Sequence, residues 1–325
     1  MQPLRIGIIG TGWFSQVHAD HLVALDDVVL QAICGSDMEK GDQMARRYGA
    51  TGYGHVKDML EAEKLDAVYI CVPPMAHGEI EELLIERGIP FLVEKPIGTD
   101  TELPRRLLRQ IEAKSLVTSV GYHFRYKATV AQMKQLLGEQ HVGMAVGQWM
   151  GSMPGVAWWR QQEGSGGQFI EQTTHIVDIL RYCLGDVEEV YAMYGSRVMH
   201  EQHDDVSVPD VGTVTLKLTS GVIANISNTC VLPGNMDQTG ITFYTGEGVL
   251  DWNPSRLKVM TPQVSTEYTD PTNHYMLESE AFIYAIRTGD TSRIRSDYAD
   301  AFKTQLVTCA ALESATLGKP VKIQY

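Results

Sequence analysis

The stretch LRIGIIGTGWFS, Leu4 to Ser15, decides the fold. Leu4 to Gly10 is a short apolar run bounded by glycine, too short for a helix, and it reads as a buried strand. It runs straight into Gly10-Thr11-Gly12-Trp13-Phe14-Ser15, then a helical segment to about Leu25, then a second apolar run, Val28 to Cys34. Strand, tight glycine turn, helix and strand make one βαβ unit. Gly10 permits the turn, and Gly12 lets the backbone approach a pyrophosphate whose charge the helix N-terminus favours. Ser15 stands where a third glycine or alanine is usual, and it is still small enough for close helix–strand packing. Gly10, Thr11, Gly12, Trp13 and Phe14 are therefore expected to bind a dinucleotide cofactor.

The alternation continues outward from that unit. Asp66 to Cys71 is strand-like and ends in Val72-Pro73-Pro74; His77 to Arg87 is helical, with Gly88 after it. Phe91 to Val93 is a strand that ends in Glu94-Lys95-Pro96. Thr101 to Lys114 is helical, with Pro104 tolerated in its first turn, and Val117 to Gly121 is another strand. Such alternation predicts an α/β fold with a doubly wound, mainly parallel sheet. Ligands bind such sheets beyond the carboxyl ends of the strands. Pro73, His77, Glu94 and Lys95 are placed there along with the glycine turn. A lysine held just before a proline beyond a strand end is a candidate site residue.

The bulk numbers narrow the function. A chain of 325 residues can hold two domains. Lys plus Arg is 27 against 40 Asp plus Glu, a net charge of −13, which argues against a nucleic-acid surface. No signal peptide or membrane span is expected. Five scattered cysteines without a CxxC pair read as buried small hydrophobes, so neither disulfides nor a metal site is expected, and a cytoplasmic location fits.

GGQFIEQTTHIVDILRYCLG, Gly166 to Gly185, reads as one helix ending at Gly185. Ile176, Ile179, Leu180, Cys183 and Leu184 fall on one face, and Glu171, His175 and Asp178 on roughly the other, at i, i+4 and i+7. From the helix alone, that polar stripe is either a solvated face or part of a site.

Taken in order, GTGWFS, VPPMAH (72–77), VEKP (93–96), GYHFRY (121–126), WWRQQEGSGGQFIEQTTHIVD (158–178) and DAFKTQLVTCAALESATLGKPVKI (300–323) resemble the glucose–fructose oxidoreductase / inositol dehydrogenase / MocA family over nearly the whole chain. The resemblance implies a nicotinamide-dependent oxidoreductase acting on a secondary hydroxyl or ketone of a sugar, polyol or related compound. It implies a Rossmann domain over 1–122 and, over 123–325, an α/β domain with a large open, mostly antiparallel sheet. The β-rich runs of 144–262 suit that sheet. The last helix, about 298–317, would pack back towards the Rossmann domain. The sheet face implies a homodimer or homotetramer, with no nucleic-acid or membrane partner.

The resemblance also assigns roles. Lys95 matches the family's active-site lysine and His175 its acid/base histidine, with Asp178 orienting substrate or imidazole. Glu171 stands where many members have Asp and would bind substrate hydroxyls, helped by Arg125, which is equally a strut at the domain junction. Trp159 and Arg160 resemble a pair lining the cofactor cleft, with core packing the alternative for the tryptophan. His77 is either near the cofactor or a structural residue at a helix start, and His18 is structural. In NAD-preferring folds an acid at the end of the second strand holds the ribose. Here that position is about Gly35, followed by Ser36, Asp37 and Lys40, so the cofactor is NAD(P) with a lean to NADP. Redox-neutral elimination or glycoside hydrolysis, and a non-catalytic dinucleotide-binding regulator, are the competing readings. The segment 197–210 is a candidate substrate or interface loop.

Overall fold

A computed structural model describes residues 2–325. The chain divides into two units. The first comprises Met1–Gly98, Glu102–His123 and Asn273–Asp300; the second comprises Thr99–Thr101, Phe124–Thr272 and Ala301–Tyr325.

The first unit is built on six strands: β1 (Leu4–Ile9), β2 (Val28–Cys34), β3 (Thr51–Tyr53), β4 (Ala67–Ile70), β5 (Phe91–Val93) and β6 (Thr118–Val120). They are all parallel, in the order β3-β2-β1-β4-β5-β6. The central strands are mostly apolar because helices cover both faces, as the buried Ile6, Ile8, Ile33, Tyr69 and Leu92 show. The helix after β1, Trp13–Leu22, stops three residues short of the expected Leu25. Two helices, Met38–Tyr48 and Val56–Ala62, fill the stretch between β2 and β4, for which the apolar runs give no element. The unit also recruits a distant helix, His274–Thr288, whose Phe282 and Ile283 enter the same core as Ile6, Ile8 and Tyr69.

The second unit carries a nine-stranded sheet. Its strands are β7 (Val142–Met150), β8 (Val187–Gly195), β9 (Val211–Leu218), β10 (Ile223–Thr229), β11 (Gln238–Thr245), β12 (Val249–Asn253), β13 (Arg256–Met260), β14 (Ser265–Thr269) and β15 (Val321–Lys322). Their order is β14-β13-β12-β11-β7-β10-β9-β8-β15, and only the β7–β10 pair is parallel. Side chains alternate between the two faces. One face, with Ala145, Val190, Leu216, Ile226 and Phe243, packs under Val130 and Met133 of the helix Ala128–Gly138. Ile176 and Leu180 of Thr174–Leu184 and Val307 of Tyr298–Leu317 complete that layer. The other face exposes Met144, Val146, Tyr191, Met193, Ile223 and Tyr244. These are interleaved with Thr213, Asn225 and Ser227, which hydrogen-bond one another. The closing helix Tyr298–Leu317 gives its first residues to the first unit, where Tyr298 N–H donates to Thr118 Oγ1, and the remainder to the second. No helix among the described residues is long and apolar enough to cross a membrane, and all five cysteines are unpaired.

Candidate active site

In the first unit the glycine turn has the geometry a pyrophosphate needs. Gly10 lies at φ +110, and a Cβ there would sit 2.1 Å from the Cys71 carbonyl oxygen, so only glycine fits. Gly12 has open space beside its Cα, and the helix Trp13–Leu22 starts at once, with its N–H groups facing the turn. Trp13 is 64% exposed and packs edge-on against Phe14, giving the turn an aromatic rim. These residues fit a dinucleotide.

At the end of β2, Gly35 is fixed as glycine by its neighbours: a Cβ would lie 2.5 Å from the Gly41 amide nitrogen. No carboxylate can stand at the usual ribose position. Asp37 instead caps the helix Met38–Tyr48, accepting from Lys40 N–H at 2.9 Å. That bond and the Lys40 ammonium hold its carboxyl below the ordinary range. Lys40 Nζ donates to Ser36 Oγ at 2.9 Å, so lysine and serine sit together at the strand end.

His77 falls between a 3-10 turn, Pro74–Ala76, and the helix Glu79–Arg87, because Gly78 adopts φ +122 and delays the helix start expected at His77. Its Nδ1 lies 2.6 Å from Glu81 Oε1, and Glu81 Oε2 accepts from Gly78 N–H at 2.7 Å. Burial pushes the Glu81 carboxyl up, but the imidazole and the N–H outweigh it and the net direction is down. Glu94 is turned inward rather than towards a cofactor. Its Oε1 lies 2.8 Å from His18 Nε2 in the core, and Gly121 must be glycine because a Cβ would meet Glu94 Oε2 at 2.5 Å. Lys95 follows it, half-buried, with a cis bond to Pro96.

In the second unit the single helix expected from Gly166 to Gly185 is two pieces, Gln168–Glu171 and Thr174–Leu184, and a separate turn, Gln162–Ser165, precedes them. Gly166 at φ +75 and Gly167 at φ +88 set off the turn Gln162–Ser165, and the expected helix itself breaks at Gln172–Thr173. Glu171 therefore ends one helical turn, while His175 and Asp178 belong to the next helix; they are not a stripe on one cylinder. His175 is buried and stacks on Trp149, with ring centroids 5.8 Å apart, and packs against Phe124. Glu171 Oε2 accepts Trp159 Nε1–H at 2.7 Å. Trp159 is core, packed with Met199, Val208 and Cys230, so it anchors Glu171 instead of lining a cleft. Arg160 reaches Asp205 at 3.3 Å, inside the segment 197–210. That segment is organised by Asp210, which accepts the N–H groups of Arg197, Val198 and Met199.

Asp178 and Arg125 differ most from expectation. Asp178 is 1% exposed and takes both Arg125 Nε at 2.8 Å and Nη2 at 2.6 Å, a bidentate pair. Thr304 Oγ1 donates to the same carboxylate and accepts from Arg181, which also pairs with Asp186. The Arg125 guanidinium lies over the Tyr182 ring. A carboxylate and a guanidinium paired in the core serve as a strut, one of the two readings the sequence gives for Arg125. The carboxylates Glu81 and Glu278 give no signal in the sequence, where each is one acid in a polar helical run. Trp149 is hidden there by its place in a β-rich run.

Residues 4–122 match the model of an oxidoreductase family with an NAD-binding Rossmann fold, and residues 130–251 match the GFO/IDH/MocA C-terminal domain. The chain belongs to the Gfo/Idh/MocA oxidoreductase family. It is an NAD(P)-dependent oxidoreductase. It is 26% identical over 232 residues to myo-inositol 2-dehydrogenase of Thermotoga maritima, covering 69% of this chain and 68% of that one. It is 26% identical over 350 residues to D-glucoside 3-dehydrogenase of Escherichia coli, covering 99% and 98%. The fold matches a levoglucosan dehydrogenase in complex with NADH and L-sorbose, with a TM-score of 0.89 at 20% identity over 100% of both chains.

Proposed function

We propose that the protein transfers hydride between a nicotinamide cofactor and a secondary hydroxyl or ketone of a sugar, polyol or related compound, with Lys95 and His175 in proton relay. The observation that carries this reading is His175 itself: an imidazole held flat on Trp149 and opening a helix, four residues beyond a carboxylate that Trp159 fixes in place. A bound nicotinamide would supply the hydride acceptor or donor. Alcohol oxidation also releases a hydroxyl proton. His175 accepts it, a role that suits an imidazole. Lys95 hydrogen-bonds the same hydroxyl oxygen and steadies its developing negative charge. Glu171 binds a neighbouring substrate hydroxyl.

NADP is the preferred cofactor on this reading. The acid that repels a 2′-phosphate has no room at Gly35, and Ser36 and Lys40 supply a donor and a positive charge nearby. The protein works in the cytoplasm as a homodimer or homotetramer, assembled through the open face of the nine-stranded sheet.

Absorbance at 340 nm, followed with NAD or NADP over a panel of sugars, polyols and inositols, tests the reading. Cofactor reduction should fall about 10²–10⁴-fold in Lys95→Ala and in His175→Ala. Tightly bound cofactor with no net reduction on any substrate would sink it and favour redox-neutral elimination.

A further inference from the structure

We infer that His18, Glu94 and Glu278 form a binding site for a divalent first-row metal ion, such as zinc, inside the first unit. The three residues come from separate parts of the chain: the helix Trp13–Leu22, the residue after β5, and the helix His274–Thr288. All are buried, and one ligand atom from each lies within 4.8 Å of the other two. Among the described residues this is the one grouping of histidine, cysteine and acid side chains with that geometry.

The donor set has a defined chemistry. One imidazole nitrogen and two carboxylates suit zinc or manganese, with bonds of about 2.0–2.2 Å. Neighbouring ligands of a tetrahedral ion stand about 3.4 Å apart, so donor atoms within 4.8 Å of one another would draw in on binding. A second observation is independent of the cluster. Glu94 Oε2 and His18 Nδ1, both on side chains more than nine-tenths buried, have no hydrogen-bond partner among the described residues. A coordinated ion satisfies such an oxygen by taking up its lone pair. Bidentate coordination would use the Glu94 oxygen in this way. Phe14 and Tyr69 flank the His18 ring and keep water away.

The ion would join β5, the first helix and the recruited helix at one point, directly before Lys95. Its role is to fix that turn and the fold of the unit. It takes no part in hydride transfer, so the inference stands or falls apart from the proposed reaction.

Metal content is the test. Full-length protein purified without chelator, measured by elemental mass spectrometry, should hold about one equivalent of zinc or manganese per chain. The folded fraction of His18→Gln and of the near-isosteric Glu278→Gln should hold at least ~10-fold less. Chelator-stripped protein refolded with zinc should melt about 5 °C or more above the same protein refolded without it. If the variants do not fold, cobalt-loaded wild-type protein should show visible absorption bands, and its His18 ring nitrogens a paramagnetic shift. Metal below about a tenth of an equivalent, with no thermal response to zinc, manganese or cobalt, overturns the inference. So does metal retained unchanged in both folded variants, or cobalt bound without any effect on His18.

Discussion

Asp178 and Arg125 show how a side chain can sit at a promising sequence position and still be committed elsewhere. Two charges out of water are tolerable only with good geometry and further hydrogen bonds, which the bidentate contact and Thr304 provide. Removing one partner is then costly. Asp178→Ala should destabilise the fold by about 3–5 kcal/mol in a denaturant melt, because Arg125 is left buried and uncompensated. A double change of Asp178 and Arg125 to apolar residues should recover much of that loss. A different pair sets a pH dependence. Glu81 starts from an ordinary value of 4.5 and is held lower in the folded state, despite its burial, by His77 and the Gly78 N–H. A depressed carboxylate adds stability above its unfolded pKa, and that stability is lost as pH falls through the folded value. Wild-type protein should therefore lose stability on acidification below about pH 4.5, and Glu81→Gln should lose less over the same interval in a thermal melt series. An unchanged slope in the variant would refute the assignment.

At the scale of elements, apolar run length and glycine placement make the first βαβ unit legible. Buried parallel strands are near-continuous hydrophobic runs, and the Gly10 turn has one stereochemical solution. The stretch between β2 and β4 is opaque for the converse reason. Met38–Tyr48 is mostly polar, and β3 is a three-residue edge strand, Thr-Gly-Tyr, without a run to detect. The Gly166–Gly185 segment misleads because period counting assumes an unbroken helix. Its apolar face is legible, as buried Ile176, Ile179 and Leu180 show, while the late start after Gly167 and the break at Gln172–Thr173 are not. Burial of Asp178 is equally invisible, since its partners Arg125 and Thr304 are remote in sequence. The Gly167 turn can be tested. Gly167→Ala forces a Cβ into a φ of +88, and it should cost about 1 kcal/mol or more, moving Glu171 and lowering turnover more than cofactor affinity.

At the scale of the molecule, the open face of the nine-stranded sheet presents a set of exposed apolar side chains. Exposed Met144, Val146, Tyr191, Met193, Ile223 and Tyr244 lie on neighbouring strands, an arrangement that marks interaction surfaces. Sedimentation velocity should find a dimer or larger species, and Met193→Lys combined with Ile223→Glu should shift it to monomer without lowering the melting temperature of the monomer. A monomeric wild-type protein at micromolar concentration would refute assembly through this face.

The route of the chain has a consequence for how this protein can be taken apart. Because the backbone passes between the units at Gly98/Thr99, Thr101/Glu102, His123/Phe124, Thr272/Asn273 and Asp300/Ala301, neither unit is a contiguous stretch of gene. Cutting the coding sequence after the last Rossmann strand would release a nucleotide-binding half without Phe282 and Ile283, leaving part of the Ile6–Tyr69 core bare to solvent. A cofactor module borrowed from this protein must bring Asn273–Asp300 with it, and recombination between relatives that exchanges only the first half should yield aggregates unless the returning helix is exchanged as well.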